Sequence, residues 1–435
     1  MCRKGKWLMV FAAVLAIFFV FSPLSVSAAG KTQAGGAKNT ITVWAWDDNF
    51  NIAIMKTAAA RYRELNPNVD FNIEIISSSK EDVYKKLQTG LAAGGKNLPD
   101  IVLIEDYSFY QYVSAYSKYF YPLHDVLDYS KFSPYKVQVM TLNGKHYGVP
   151  FDTGVCATFF RHDILEKAGF TDADITDITW DRFFEIGKIV EQKTGVKMTI
   201  ANGTNWSSFF RMMIQSAGAW YFDANNNMTI TNNAALRETF ETIKKLRDAG
   251  VILECADDSQ LAGAINNGTT ASVINAAWRV STVKAEPGQS GLWRVTTMPR
   301  LNNAKAANAS NTGGSSWYVI ENNQSKDLIN SFLKTIYAGD AAFYDKILVD
   351  QGAVCAWLPS QAGAAYGVGD PFFNGQKVNL FFAEQLPKIP PVNYGQYVPE
   401  ANTAVNSALF NYLQGTITVD EALKRAEDQL KNQIQ

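Results

Sequence analysis

Between Ile41 and Ile104 strand-like and helix-like patterns alternate, and that alternation restricts the possible folds more than any other feature of the chain. Ile41-Thr42-Val43-Trp44-Ala45-Trp46 has the β-branched and aromatic content of a strand. Ile52, Met55, Ala59 and Tyr62 then recur at helical spacing until Asn66-Pro67 ends the helix. Val69, Phe71, Ile73 and Ile75 alternate with Asp70, Asn72 and Glu74, as in a half-buried strand. Tyr84, Leu87 and Leu91 mark one face of a second helix before Gly94-Gly95. Ile101 to Ile104 is a short continuous apolar run, suited to the middle of a parallel sheet. The order β-α-β-α-β predicts an α/β unit.

With 435 residues the chain is too long for one ordinary core, so two lobes are expected. Asn143-Gly144 predicts a tight turn between Met140-Thr141-Leu142 and His146-Tyr147-Gly148-Val149. After Phe151-Asp152 a helix-rich region begins. Thr179 is the expected N-cap of one helix, with Asp181 in its first turn. Phe209 to Ser216 and Ala234 to Ala249 are further helices, the second closed by Gly250. Strands are predicted at Ala271 to Ile274, Arg294 to Met298 and Trp317 to Ile320. Thr418-Val419-Asp420-Glu421 is a capping box ahead of a last helix.

The first residues have the form of an export signal. Arg3, Lys4 and Lys6 precede the apolar run from Trp7 to Phe21, and Val26-Ser27-Ala28 offers the small residues of a cleavage site. A signal over 1–28 and a spacer over 29–39 follow; an uncleaved anchor from Trp7 to Val26 is the alternative. The expected location is therefore periplasmic, extracellular or surface-associated, without a lipid-bearing cysteine. Net charge is −1 with no basic block, which argues against nucleic acid. Cys156, Cys255 and Cys355 remain beyond the signal, an odd number. A Cys156 to Cys355 bridge and three buried thiols are both open, and buried thiols are expected.

Candidate chemistry collects where strands end, because ligands of open α/β sheets bind outside the carboxyl ends of strands. Trp44, Trp46, Asp47 and Asp48 follow the first strand. A tryptophan beside an aspartate suits a sugar, whose C–H faces stack on rings and whose hydroxyls seek carboxylates. Core packing for one Trp and helix capping for one Asp compete with that role. Glu105, Asp106 and Tyr107 hold the same place after the third strand, again against a capping reading. Asp152 is a hydroxyl acceptor or an ordinary turn residue, with Gly154 giving backbone freedom beside it. Trp206 and Trp278 are stacking candidates, Trp278 the better, each against packing under its helix. Gly313-Gly314-Ser315 is a loop able to offer backbone groups, with Gly314 the candidate; no Gly-Lys-Ser/Thr follows to make it a phosphate loop. Trp357 and Tyr394 are weaker candidates, with Asn393 and Tyr397 beside them.

Other chemistries find little support. Asp223 to Asn227 begins like a calcium loop, but Ala234 stands at its twelfth position, so a turn is expected. The three histidines, His124, His146 and His162, have no zinc-motif spacing, and no Gly-x-Ser-x-Gly elbow occurs. No metal or cofactor is expected.

Several ordered landmarks carry a resemblance: Leu98-Pro99-Asp100-Ile101-Val102, the run Tyr147 to Gly154, Phe160 to Gly169, Thr179-Trp180-Asp181, Ala276-Ala277-Trp278 and Gly313-Gly314. Together they resemble family 1 extracellular solute-binding proteins, the sugar receptors of ABC importers. Arg182 stands where that family usually has Glu. The resemblance implies a type II periplasmic-binding-protein fold of two α/β lobes joined by three hinge crossings. The lobes would be 40–152 with 303–342, and 153–302 with 343–435. Crossings are expected near Phe151 to Ala157, Met298 to Asn303 and Gly339 to Gly352. It also implies a monomer that closes over a carbohydrate and docks on permease subunits, with no catalysis. A secreted hydrolase or lyase using Asp47, Asp106 and Asp152, or a peptide or polyamine receptor of the same fold, are the rival readings.

Overall fold

Thr40–Ala45 (β1) runs parallel to Asn72–Ser77 (β2) and to Ile101–Glu105 (β3), with Asn51–Leu65 (α1) and Lys80–Ala92 (α2) as crossovers. This computed structural model describes residues 39–321 and 325–434. The expected signal, and the spacer up to residue 38, lie outside the described residues. Ile52, Met55, Ala59 and Tyr62 form the buried stripe of α1, as their spacing predicts. Ser79 caps α2 by accepting from the Asp82 amide. Pro134–Val139 (α3) leads into a hairpin of Thr141–Leu142 (β4) and Lys145–His146 (β5). Its turn places Asn143 and Gly144 at φ 52° and 75°, the left-handed pair that Asn-Gly favours. Gly148–Pro150 (β6) closes this part of the chain.

The second region begins with Cys156–Arg161 (β7), the central strand of an antiparallel sheet. It continues through His162–Ala168 (α4), Trp180–Thr194 (α5), Thr199–Asn202 (β8), Ser207–Ser216 (α6) and Ala234–Asp248 (α7). Ile252–Cys255 (β9) pairs parallel with β8. Asp258–Asn266 (α8), Ser272–Ala276 (β10), Val280–Val283 (α9) and Trp293–Thr296 (β11) complete it, and β10 and β11 flank β7. Thr179 caps α5 from its hydroxyl to the Arg182 amide, as expected.

The chain then returns. Ser315–Val319 (β12) inserts antiparallel between β3 and β6, giving the order β2-β1-β3-β12-β6. The fully buried run of β3 is thus central, with one parallel and one antiparallel neighbour. Lys326–Tyr337 (α10) and Ala341–Gln351 (α11) add Phe332, Phe343, Tyr344 and Ile347 to the core of this first sheet. The expected boundary at 342/343 therefore falls inside α11, whose apolar face packs with the first lobe. Val378–Gln385 (α12), Val398–Leu413 (α13) and Val419–Ile434 (α14) join the cores of the second region. The Thr418 and Glu421 capping box opens α14.

Three segments pass side by side between the two sheets. The middle one, 151–156, pairs on one edge with 310–312 and on the other with 354–356. The Cys156 and Thr312 amides donate to Ser310 and Gly154 at 2.9 and 2.8 Å; those of Thr153 and Ala356 donate to Val354 and Phe151 at 3.2 and 2.8 Å. The strip 151–156 overlaps the expected first crossing at Phe151 to Ala157. The second and third fall later than Met298 to Asn303 and Gly339 to Gly352, because the chain packs with each lobe for longer. Gly154 permits this approach: a Cβ there would lie 1.9 Å from the Thr312 carbonyl oxygen. Cys156, Cys255 and Cys355 are buried free thiols.

Candidate functional site

Ends of β1, β3 and β6 and the start of β12 converge beside the crossings, and most of the sequence candidates sit there. Asp106 follows β3 and is fully buried. Both its carboxylate oxygens lie 2.7 Å from Nζ of Lys136, which is fully buried on α3. Lys136 also donates to the Ser315 carbonyl at 3.0 Å. Burial raises the Asp106 carboxyl to about 6, with the Lys136 ammonium opposing the rise. The Asp152 carboxyl is raised by burial too, and it accepts from the Ser315 amide at 2.5 Å. Gly314, at φ 93°, lies in this cluster: a Cβ there would sit 2.8 Å from an Asp106 oxygen. The carboxylates of Asp106 and Asp152 are thus directed at internal donors.

Tyr107, next in sequence, projects into the other lobe. Its ring is stacked with Trp220 and packs edge-on to Tyr394, with centroids 5.9 and 4.7 Å away. The Arg211 guanidinium stands 4.4 Å from the Tyr107 ring. The Gly313 amide donates to the Tyr107 phenolic oxygen at 3.0 Å. Asn311 ties this group together. It accepts from the Gly154 amide and the Tyr135 hydroxyl, and donates to the Gly313 carbonyl and the Tyr394 hydroxyl. Tyr394 itself is buried and donates to Gln215 at 3.3 Å.

The tryptophans separate clearly. Trp278, just after β10, is 45% exposed and has the Arg279 guanidinium 4.6 Å from its ring. Arg279 is held there by Asp258 at 2.6 Å. Trp278 Nε1 lies 3.7 Å from where a Gly313 side chain would begin, so the indole and the loop adjoin. Trp46 is partly buried and packs edge-on to Tyr84 at 5.6 Å. Asp47 has φ 66° and accepts from the Asn49 and Phe50 amides, the capping geometry that competed with a ligand role. Trp206 is 1% exposed in the core of the second lobe, against Phe209. Trp357 is stacked on Tyr344 in the core of the first. Both pack as core residues because a large apolar ring gains most from full burial.

Lys136, Arg211 and Trp220 were not evident beforehand. The run Ala219-Trp220-Tyr221-Phe222 was a usable aromatic signal; a lone lysine or arginine on a helix carries none. Asp223 closes a turn onto the Asn225 and Asn227 amides, as expected. Among the described residues no cluster of three His, Cys, Asp or Glu could hold a metal ion. Nor is any helix there long and apolar enough to cross a membrane.

Known proteins share this architecture. Residues 57–348 match the family model for bacterial extracellular solute-binding proteins. The chain is 46% identical over 396 residues to a lactose-binding protein of Rhizobium radiobacter, covering 91% of this chain and 93% of that one. An arabinooligosaccharide-binding protein of Bacillus subtilis strain 168 is 23% identical over 421 residues, 93% and 94% of the two chains. The solved structure of the sugar-binding protein MalE from Xanthomonas citri superposes with a TM-score of 0.75 at 17% identity, over 91% of this chain and 98% of that one. Two lobes, three crossings and a nearly full-length relative agree: the chain belongs to the bacterial extracellular solute-binding protein family.

Proposed function

We propose that the protein is the substrate-binding component of an ABC importer and that its ligand is a galactose-containing disaccharide of the lactose type. The observation that carries this reading is the exposed indole of Trp278 beside the Gly313 loop, at the junction of the lobes. An indole left open in this place offers a flat apolar face on which the C–H face of a sugar ring can stack. The 46% identical lactose-binding relative supports the choice of sugar. Next to the indole stands the Gly313 loop, and the Tyr107 phenol bonded to that loop carries the Arg211 guanidinium over its ring.

In this reading the lobes comprise 40–152 with 313–353, and 157–309 with 358–434, and they close over the sugar. The closed monomer, exported beyond the cytoplasmic membrane, then docks on permease subunits. It binds without turnover: the carboxylates of Asp106 and Asp152 are taken up by Lys136 and the Ser315 amide. A thermal-shift screen across lactose, maltose, arabino-oligosaccharides, peptides and polyamines tests the proposal. Lactose is expected to raise the melting midpoint most. A shift only with peptides or polyamines, or new reducing ends on incubation with the sugar, would overturn it.

A further inference from the structure

The loop at Gly313–Ser315 is tied at every residue. The Gly313 amide goes to Tyr107 and its carbonyl to Asn311; the Gly314 carbonyl accepts from the Asp106 amide at 3.0 Å. The Ser315 amide goes to Asp152, and its carbonyl to Lys136. Of these partners only Lys136 reaches both the loop and the Asp106 carboxylate that packs against Gly314. Lys136 has no exposed side-chain surface, so no ligand in the cleft touches it.

A buried ion pair is a poor source of stability, since removing both charges in favour of well-packed neutral groups is often neutral or better. Its placement is therefore informative. Lys136 comes from α3, Asp106 from the end of β3, Asp152 from the first crossing and Ser315 from the start of β12. Four separate segments meet on one ammonium and its counter-charges. The loop they hold adjoins the Trp278 indole, 3.7 Å from where a Gly313 side chain would begin.

We propose that Lys136 is a positioning residue of the ligand site: by gripping Asp106 and the Ser315 carbonyl together, it fixes the Gly313–Ser315 backbone against the Trp278 platform. The affinity part rests on the sugar-receptor reading; the loop-holding part does not. A merely structural lysine would matter only for balancing buried charge. The two roles separate in a pair of variants. Lys136→Met leaves Asp106 unpaired and should lower the melting midpoint. Adding Asp106→Asn removes the orphaned charge and should recover most of that midpoint.

The experiment compares wild type, K136M and K136M/D106N by lactose calorimetry and by hydrogen exchange at the Gly313 and Ser315 amides without ligand. The double variant is expected to recover stability yet to bind lactose about tenfold or more weakly, with about tenfold faster exchange at both amides. Wild-type exchange in a stable double variant would overturn the proposal, whatever the affinities. If K136M fails to fold, the double variant alone decides. If wild type does not bind lactose, the sugar reading fails and the exchange comparison still judges Lys136.

Discussion

The ring of Tyr107, leaving the first sheet, lies within 8° of parallel to that of Trp220 in the second lobe, with centroids 5.9 Å apart. Burial holds its phenol above the ordinary tyrosine range, so it stays protonated at neutral pH. Because Tyr107 packs in the second lobe's core, it ties the two lobes together, and it is expected to favour closure. Tyr107→Ala is expected to enlarge the ligand-free radius of gyration in small-angle scattering. Sugar affinity should fall about tenfold, since only the closed fraction binds tightly. An unchanged radius and affinity would show that the ring does not bias closure.

Trp278→Ala should weaken sugar binding by about tenfold, roughly 1.4 kcal/mol. Its melting midpoint should hardly move, because an exposed ring adds little to folding. Calorimetry with lactose checks the first point and a thermal melt the second. Full affinity in the variant would take the indole out of the site.

Gly154→Ala tests the crossing strips. The new methyl would meet the backbone carbonyl of Thr312, which cannot swing aside as a side chain can. A loss of about 3 kcal/mol or more in urea unfolding is expected, the range for strained, overpacked positions. A change below about 0.5 kcal/mol would mean that the segments separate easily.

Acid titration should expose Asp106. Its carboxyl, at about 6, is raised from an ordinary value near 4, so the folded protein binds this proton more tightly than the unfolded chain does. The stability it contributes is fully present below about pH 4 and is lost as pH rises through about 6. Groups facing it are Lys136, Asp152, Ser316 and the phenols of Tyr135, Tyr318 and Tyr394, with Glu105 and the Cys355 thiol close to Asp152 or bonded beside it. Urea midpoints of wild type relative to Asp106→Asn should therefore decline between about pH 4.5 and 7. A constant difference across that range would contradict the shift.

Local patterns foretold the frame well. The alternation around Ile73 and Ile75, the stripe of α1, the Asn143-Gly144 turn and the Thr179 and Thr418 caps all act within a few residues, where sequence is informative. The later crossings were harder, since 310–312 and 354–356 have no periodicity and are defined by the strand they pair with. Trp206 and Trp357 show why single aromatics mislead: neighbours in sequence do not reveal whether a ring faces a core or a cleft. Lys136 was invisible for the same reason, its carboxylate partner lying thirty positions away on another element.

The amide-to-carbonyl ladders along 151–156 have a mechanical consequence. Strips bonded along both edges cannot slide past one another without breaking several pairs at once, whereas flexing them as a sheet costs little. Swinging of one half of the molecule should thus occur about a single axis lying across all three, which would keep jaw travel reproducible from one capture cycle to the next.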